Sequence, residues 1–186
     1  MDKNIVLLGF MGTGKTIVGK ILASKLGRRV IDIDHVIEVS EKKKIREIFE
    51  KEGETRFRGL EKEAVRVVAR ETGVVITTGG GVVLDPENIL ALRQNGVLVE
   101  LTATVETVFR RVKDSKHRPL LGGGDLMADQ RSADALMAEI RKLYEPRKPL
   151  YGQSDYHFST DGRTPSEVAD EIFEKLKGSL TLENRG

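Results

Sequence analysis

The segment Gly9-Phe10-Met11-Gly12-Thr13-Gly14-Lys15-Thr16 constrains this chain most, because it satisfies G-x-x-x-x-G-K-[ST] at every position. Before it, Ile5-Val6-Leu7-Leu8 reads as a strand buried on both faces of a parallel sheet. After it, Ile17, Val18, Ile21, Leu22 and Leu26 recur at helical spacing until Gly27, which predicts a helix with a glycine stop. A strand, a glycine loop and a helix in that order aim successive backbone N–H groups at one point, and the positive end of the helix dipole adds to them. A phosphate fits there. The Lys15 ammonium is placed to reach β- and γ-phosphates, and the Thr16 hydroxyl can serve Mg²⁺. Nucleoside triphosphate binding is therefore expected at Gly12, Thr13, Gly14, Lys15, Thr16 and Ile17. The loop alone leaves kinases, ATPases and GTPases open, although the chain has no N-K-x-D guanine motif.

The rest of the chain continues the alternation. Val30-Ile31, Val74-Val75-Ile76-Thr77, Val97-Leu98-Val99-Glu100-Leu101 and Tyr156-His157-Phe158 read as further strands, separated by helical stretches. Two helix starts are explicit: Asp85-Pro86 supplies a cap and a first-turn proline, and Thr164-Pro165-Ser166-Glu167 adds capping-box spacing. Because parallel neighbours need crossovers, this predicts an α/β fold, a three-layer αβα sandwich around a five-stranded parallel sheet. Two stretches break the rhythm, one at about 34–73 and the other, containing Gly122-Gly123-Gly124, at about 113–132. They are expected to rise over the carboxyl ends of the strands as a substrate-binding insertion and a lid. A single domain is expected over residues 1–178, with 179–186 as a tail beyond a helix ending at Gly178.

Composition excludes several classes. With 31 basic and 29 acidic residues the net charge is +2, too weak a field to imply a nucleic-acid partner. The chain has no cysteine, hence no disulfide framework, and no apolar run approaches a membrane span or a signal sequence. A cytoplasmic, monomeric protein without membrane contact is expected.

Asp32-Ile33-Asp34 follows the second strand, and strand alternation would put both carboxylates on one side if the strand continues through them. Beside a triphosphate, one could organise the Mg²⁺ shell and the other could accept a hydrogen bond from an acceptor hydroxyl. Taken with the phosphate loop, this pair, Phe57-Arg58 with Glu61, Thr78-Gly79-Gly80-Gly81, Arg118-Pro119-Leu120-Leu121 and Arg147-Lys148-Pro149-Leu150-Tyr151 resemble, in this order, the shikimate kinase family over roughly residues 3–177. That family has the nucleoside-monophosphate-kinase-like P-loop fold and phosphorylates the 3-hydroxyl of shikimate with MgATP. The resemblance implies Lys15, Asp34 and Arg118 as catalytic residues, with Asp34 contacting the acceptor hydroxyl and Arg118 closing over the phosphates. It also implies Thr16 and Asp32 at the metal, and Arg58 and Arg147 gripping the substrate carboxylate. Glu61 would hold Arg58 and approach a ring hydroxyl, Gly79, Gly80 and Gly81 would line the acceptor, and Arg163 would pack on adenine. His117 is expected to be an ordinary lid residue. Gly59, where a helix former would be expected, suggests a less rigid seat for Arg58. The competing readings are a gluconate or nucleotide kinase of the same fold and a non-catalytic nucleotide-binding module.

Overall fold

Five short strands carry the centre of the molecule: β1 (Asn4–Leu8), β2 (Val30–Asp32), β3 (Val75–Thr77), β4 (Gly96–Thr102) and β5 (Tyr156–Ser159). The computed structural model describes residues 3–113 and 133–182, with side chains through Lys177. All strand pairs are parallel and the order across the sheet is β2-β3-β1-β4-β5, so β1 lies in the middle. Ile5 pairs with Val75 on one side and Val97 on the other.

Strand alternation sorts the β1 side chains into two cores. Val6 and Leu8 face a layer built from α2 (Ile33–Glu41), α3 (Ile45–Val68), α4 (Pro86–Gln94), α5 (Val105–Val112), α6 (Ala133–Tyr144) and α7 (Lys148–Tyr151). Ile5 and Leu7 face α1 (Lys15–Leu26) and α8 (Pro165–Leu182) on the other side. The result is the three-layer αβα sandwich expected from the sequence. The caps also form as expected: the Asp85 carboxylate accepts from the Glu87 N–H at 2.9 Å, and Thr164 and Glu167 close a reciprocal capping box.

Two local features differ from the sequence expectation, and a third is added by the structure. β2 stops at Asp32, whose carboxylate caps α2 by accepting from the His35 N–H, so Asp34 lies in the first helical turn rather than on the strand. The N-cap bond wins over further extension because β2 is an edge strand with a partner on one side only. Second, α8 runs through Gly178 to Leu182, so that glycine does not end the helix. Third, α3 is broken at Gly53, whose φ of 82° and ψ of 171° are open to glycine and strained for other residues. The break folds Phe49 back against Phe57, with ring centroids 4.6 Å apart.

Candidate active site

A cleft of about 1310 Å³ opens at the carboxyl ends of β1, β2 and β3, where ligands of open α/β sheets bind. Its floor is the phosphate loop. Gly14 caps α1 in the left-handed region, and the Thr13 hydroxyl closes the loop by donating to the Phe10 carbonyl at 2.8 Å. The Lys15 ammonium, largely buried, donates to the Gly9 and Phe10 carbonyls at 2.7 and 3.0 Å, so its charge is held at the centre of the loop. Gly12, Thr13, Gly14, Thr16 and the exposed Ile17 all line the cleft.

Beside the loop, the Thr16 hydroxyl donates to Asp32 Oδ2 at 3.1 Å, and the Thr77 hydroxyl donates to the same oxygen at 2.8 Å. Thr77 is the register partner of Asp32 on the neighbouring strand, which sets this contact through the sheet itself. Thr16 and Asp32 therefore present two hard oxygen donors side by side at the edge of the loop, a set suited to Mg²⁺, which keeps most of its remaining positions for water and phosphate oxygens.

The opposite wall is acidic and enclosed. Asp34 Oδ1 and Glu61 Oε1 both converge on Gly79, where a Cβ would lie 2.8 Å from the first and 3.1 Å from the second. Neither oxygen has a hydrogen-bond partner among the described residues, although both are buried. Such groups are costly unless something satisfies them. Burial pushes the Asp34 carboxyl up to about 7, with Asp32 and Glu61 adding to the rise and Lys15 opposing it. Burial also raises the Glu61 carboxyl, against the pull of Arg58 and Arg147.

Arg58 is fixed despite the neighbouring Gly59. Its guanidinium bonds Glu61 at 2.8 Å and Glu54 at 2.9 Å, one turn away on either side, and it sits 5.2 Å from the centre of the Phe57 ring. Gly81 gives it room, since a Cβ there would collide with the guanidinium. Arg147 is buried at the end of a 3-10 turn, over the Phe10 ring at 5.9 Å, with Nη1 unpaired among the described residues. It is not among the residues that line the open cleft, yet its charge still reaches Glu61.

At the far end of the cleft, Arg163 is tied to Glu171 and to the Ser159 and Glu167 carbonyls. Arg111 escapes sequence reasoning; it donates to the Gly12 carbonyl at 3.0 Å, the Thr160 hydroxyl at 2.9 Å and the Thr160 carbonyl at 2.8 Å. It lies on α5, distant in sequence from the loop it touches, so only the fold brings it there. The cleft roles of Thr77 and Phe49 escape in the same way, since each lies outside the motifs. Arg118, His117 and the lid from residue 114 onward lie outside the described residues.

A family model for shikimate kinase matches residues 11–177. The chain belongs to the shikimate kinase family. Among its relatives, the shikimate kinase of Caldanaerobacter subterraneus subsp. tengcongensis is 46% identical over 179 residues, covering 95% of this chain and 99% of that one. The shikimate kinase of Thermodesulfovibrio yellowstonii is 43% identical over 182 residues, covering 96% and 99%. Among solved structures, the Acinetobacter baumannii shikimate kinase in complex with shikimate superposes with a TM-score of 0.86 at 34% identity, covering 96% of this chain and 95% of that one. A gluconokinase from Sinorhizobium meliloti, at 17% identity and a TM-score of 0.59, shares the fold alone. The αβα sandwich is thus the fold of the shikimate kinase family, and among the described residues no helix is long and apolar enough to cross a membrane.

Proposed function

We propose that this protein transfers the γ-phosphoryl group of ATP to the 3-hydroxyl of shikimate, giving shikimate 3-phosphate and ADP. The observation that carries the reading is the acceptor wall: two buried carboxylate oxygens without partners among the described residues, Asp34 Oδ1 and Glu61 Oε1, flank Gly79 in the same cleft as the phosphate loop. A ring bearing several hydroxyls supplies the donors these oxygens lack. Its carboxylate suits the nearby guanidinium of Arg58 and that of Arg147, because a planar fork pairs bidentately with carboxylate.

In the proposed chemistry the loop N–H groups and Lys15 hold the β- and γ-phosphates, and Thr16 with Asp32 would hold Mg²⁺, which would supply positive charge against the charge of the phosphates. Asp34 accepts a hydrogen bond from the 3-hydroxyl and aligns it with the γ-phosphorus. As the new P–O bond forms and the bond to the β–γ bridging oxygen breaks, the hydroxyl proton moves toward Asp34. A carboxyl that titrates near neutrality, as burial makes this one, can accept that proton and release it again. Arg118 contributes charge to the developing transition state, and Arg111 and Arg163 frame the nucleotide end of the cleft. The chain through the end of α8 acts as one domain, with the insertion at about 34–73 forming the acceptor side and the segment at about 113–132 the lid. Working as a monomer in the cytoplasm fits this small-molecule chemistry.

The test is ADP release by the purified chain with MgATP and a panel of shikimate, gluconate and nucleoside monophosphates. Shikimate-dependent turnover, abolished in Lys15→Ala, is expected. Turnover with another acceptor and none with shikimate would refute the assignment.

A further inference from the structure

Tyr151 has no direct use in the proposed chemistry, yet its side chain is wholly enclosed where the two halves of the site meet. Its hydroxyl donates to the Gly80 carbonyl, in the glycine turn between the acceptor carboxylates and the phosphate loop. Gly80 lies directly on that loop: a Cβ there would sit 3.1 Å from the Met11 nitrogen and 3.6 Å from the Phe10 carbonyl carbon. On its other side the Tyr151 phenol neighbours Arg147, four residues earlier across the 3-10 turn and α7, and feels the charge of its guanidinium. Arg147 in turn lies over the Phe10 ring. The contacts form a closed circuit from the phosphate loop through Gly80, Tyr151, Arg147 and Phe10 back to the loop.

We propose that Tyr151 is a positioning residue, whose hydroxyl fixes the acceptor-side arginine and the glycine turn at a set distance from the phosphate loop. The proposal rests on the shikimate kinase reading above. A phenylalanine would fill the same volume, so what the tyrosine adds is the hydrogen bond from its oxygen to Gly80 and a polar atom beside the Arg147 charge. Burial holds the phenol far above the ordinary tyrosine range, so the oxygen keeps its proton and remains a donor to Gly80 throughout the working pH range. The circuit matters because in-line transfer needs the acceptor hydroxyl within a near-attack distance of the γ-phosphorus, and an error of about 1 Å can cost on the order of 100-fold in rate.

The experiment compares full-length wild type with Tyr151→Phe in shikimate KM, ATP KM, kcat and thermal midpoint. Loss of the hydroxyl is expected to raise shikimate KM about tenfold, or about 1.4 kcal/mol. ATP KM and the midpoint should stay close to wild type. Phe10→Leu, which removes the ring beneath Arg147, tests the circuit at a second link and is expected to raise shikimate KM more than ATP KM, with a lowered midpoint because the ring is also part of the core. The double variant should then be little worse than the poorer single one, because a broken circuit gains nothing from a second break. An unchanged shikimate KM in Tyr151→Phe overturns the proposal, as does a parallel rise in both KM values with a lowered midpoint, or a double variant equal to the product of the singles. Absence of shikimate turnover in wild type would sink the functional reading itself. Normal wild-type turnover with indifferent variants sinks only the role of Tyr151.

Discussion

The substitution Asp34→Asn should stabilise the ligand-free fold while removing transfer. Burial, then Asp32 and Glu61, move this carboxyl from its ordinary value of 3.8 up to about 7, against the opposing charge of Lys15. The folded chain therefore holds the proton more tightly than the unfolded chain. Unfolding releases that proton between these two values, so the stability linked to Asp34 is full below about pH 4 and declines as pH rises toward 7. At about 1.4 kcal/mol per tenfold change in proton affinity, the whole displacement is worth at most about 4 kcal/mol. One edge of Asp34 faces the water of the cleft, and screening there reduces the expected share to about 2 kcal/mol. The asparagine side chain, isosteric and neutral, escapes this penalty. At pH 8, without nucleotide or divalent cation, the variant should melt about 4–8 °C above wild type. The gap should shrink steadily as the buffer is taken down to pH 4. Thermal and urea unfolding across that range measure it, with ADP release scored in parallel. A variant less stable than wild type at pH 8, or a difference that ignores pH, would refute the electrostatic account of this wall.

Two further substitutions separate the halves of the cleft. Gly81→Ala drives a methyl group into the Arg58 guanidinium, the far end of a flexible side chain, so the fold should tolerate it while Arg58 loses its grip on Glu61; shikimate KM should rise about tenfold, a typical cost for a lost charge-assisted contact, with ATP KM unmoved in steady-state assays. Arg111→Ala removes three bonds that tie α5 to the Gly12 and Thr160 carbonyls and the Thr160 hydroxyl. It should raise ATP KM by about tenfold and leave shikimate KM alone, the reverse pattern.

Much of this architecture was legible in the chain because the signals were local. The phosphate loop, the five apolar strand segments, the Asp85 cap and the Thr164 capping box each depend on residues close to one another in sequence. The Arg58–Glu61 pair was implied by the family resemblance, and it forms across one helical turn. What escaped was decided by other parts of the fold. Whether Asp34 lies on a strand or a helix depends on an edge strand giving way to an N-cap, a close balance that three residues of β2 cannot advertise. The break in α3 could not be inferred from Gly53 alone, since a glycine inside a helical pattern is usually tolerated. Arg111, Thr77 and Tyr151 reach their partners across 99, 45 and 71 positions, respectively, and no periodicity carries that information.

The order β2-β3-β1-β4-β5 divides the molecule by replaceability. The phosphate loop leaves β1, which is clamped on both sides and buried on both faces, so nearly any change beneath it is felt by the whole sheet. Asp34, Arg58 and Glu61 instead rise from the helices that follow the outermost strand. An engineer who wished to change the acceptor could rebuild the two helices of that flank, keeping Asp32 at the end of the edge strand, without disturbing the strand that carries the donor loop. Acceptor preference is thus the more evolvable half of this fold, and redesign libraries are best confined to α2 and α3.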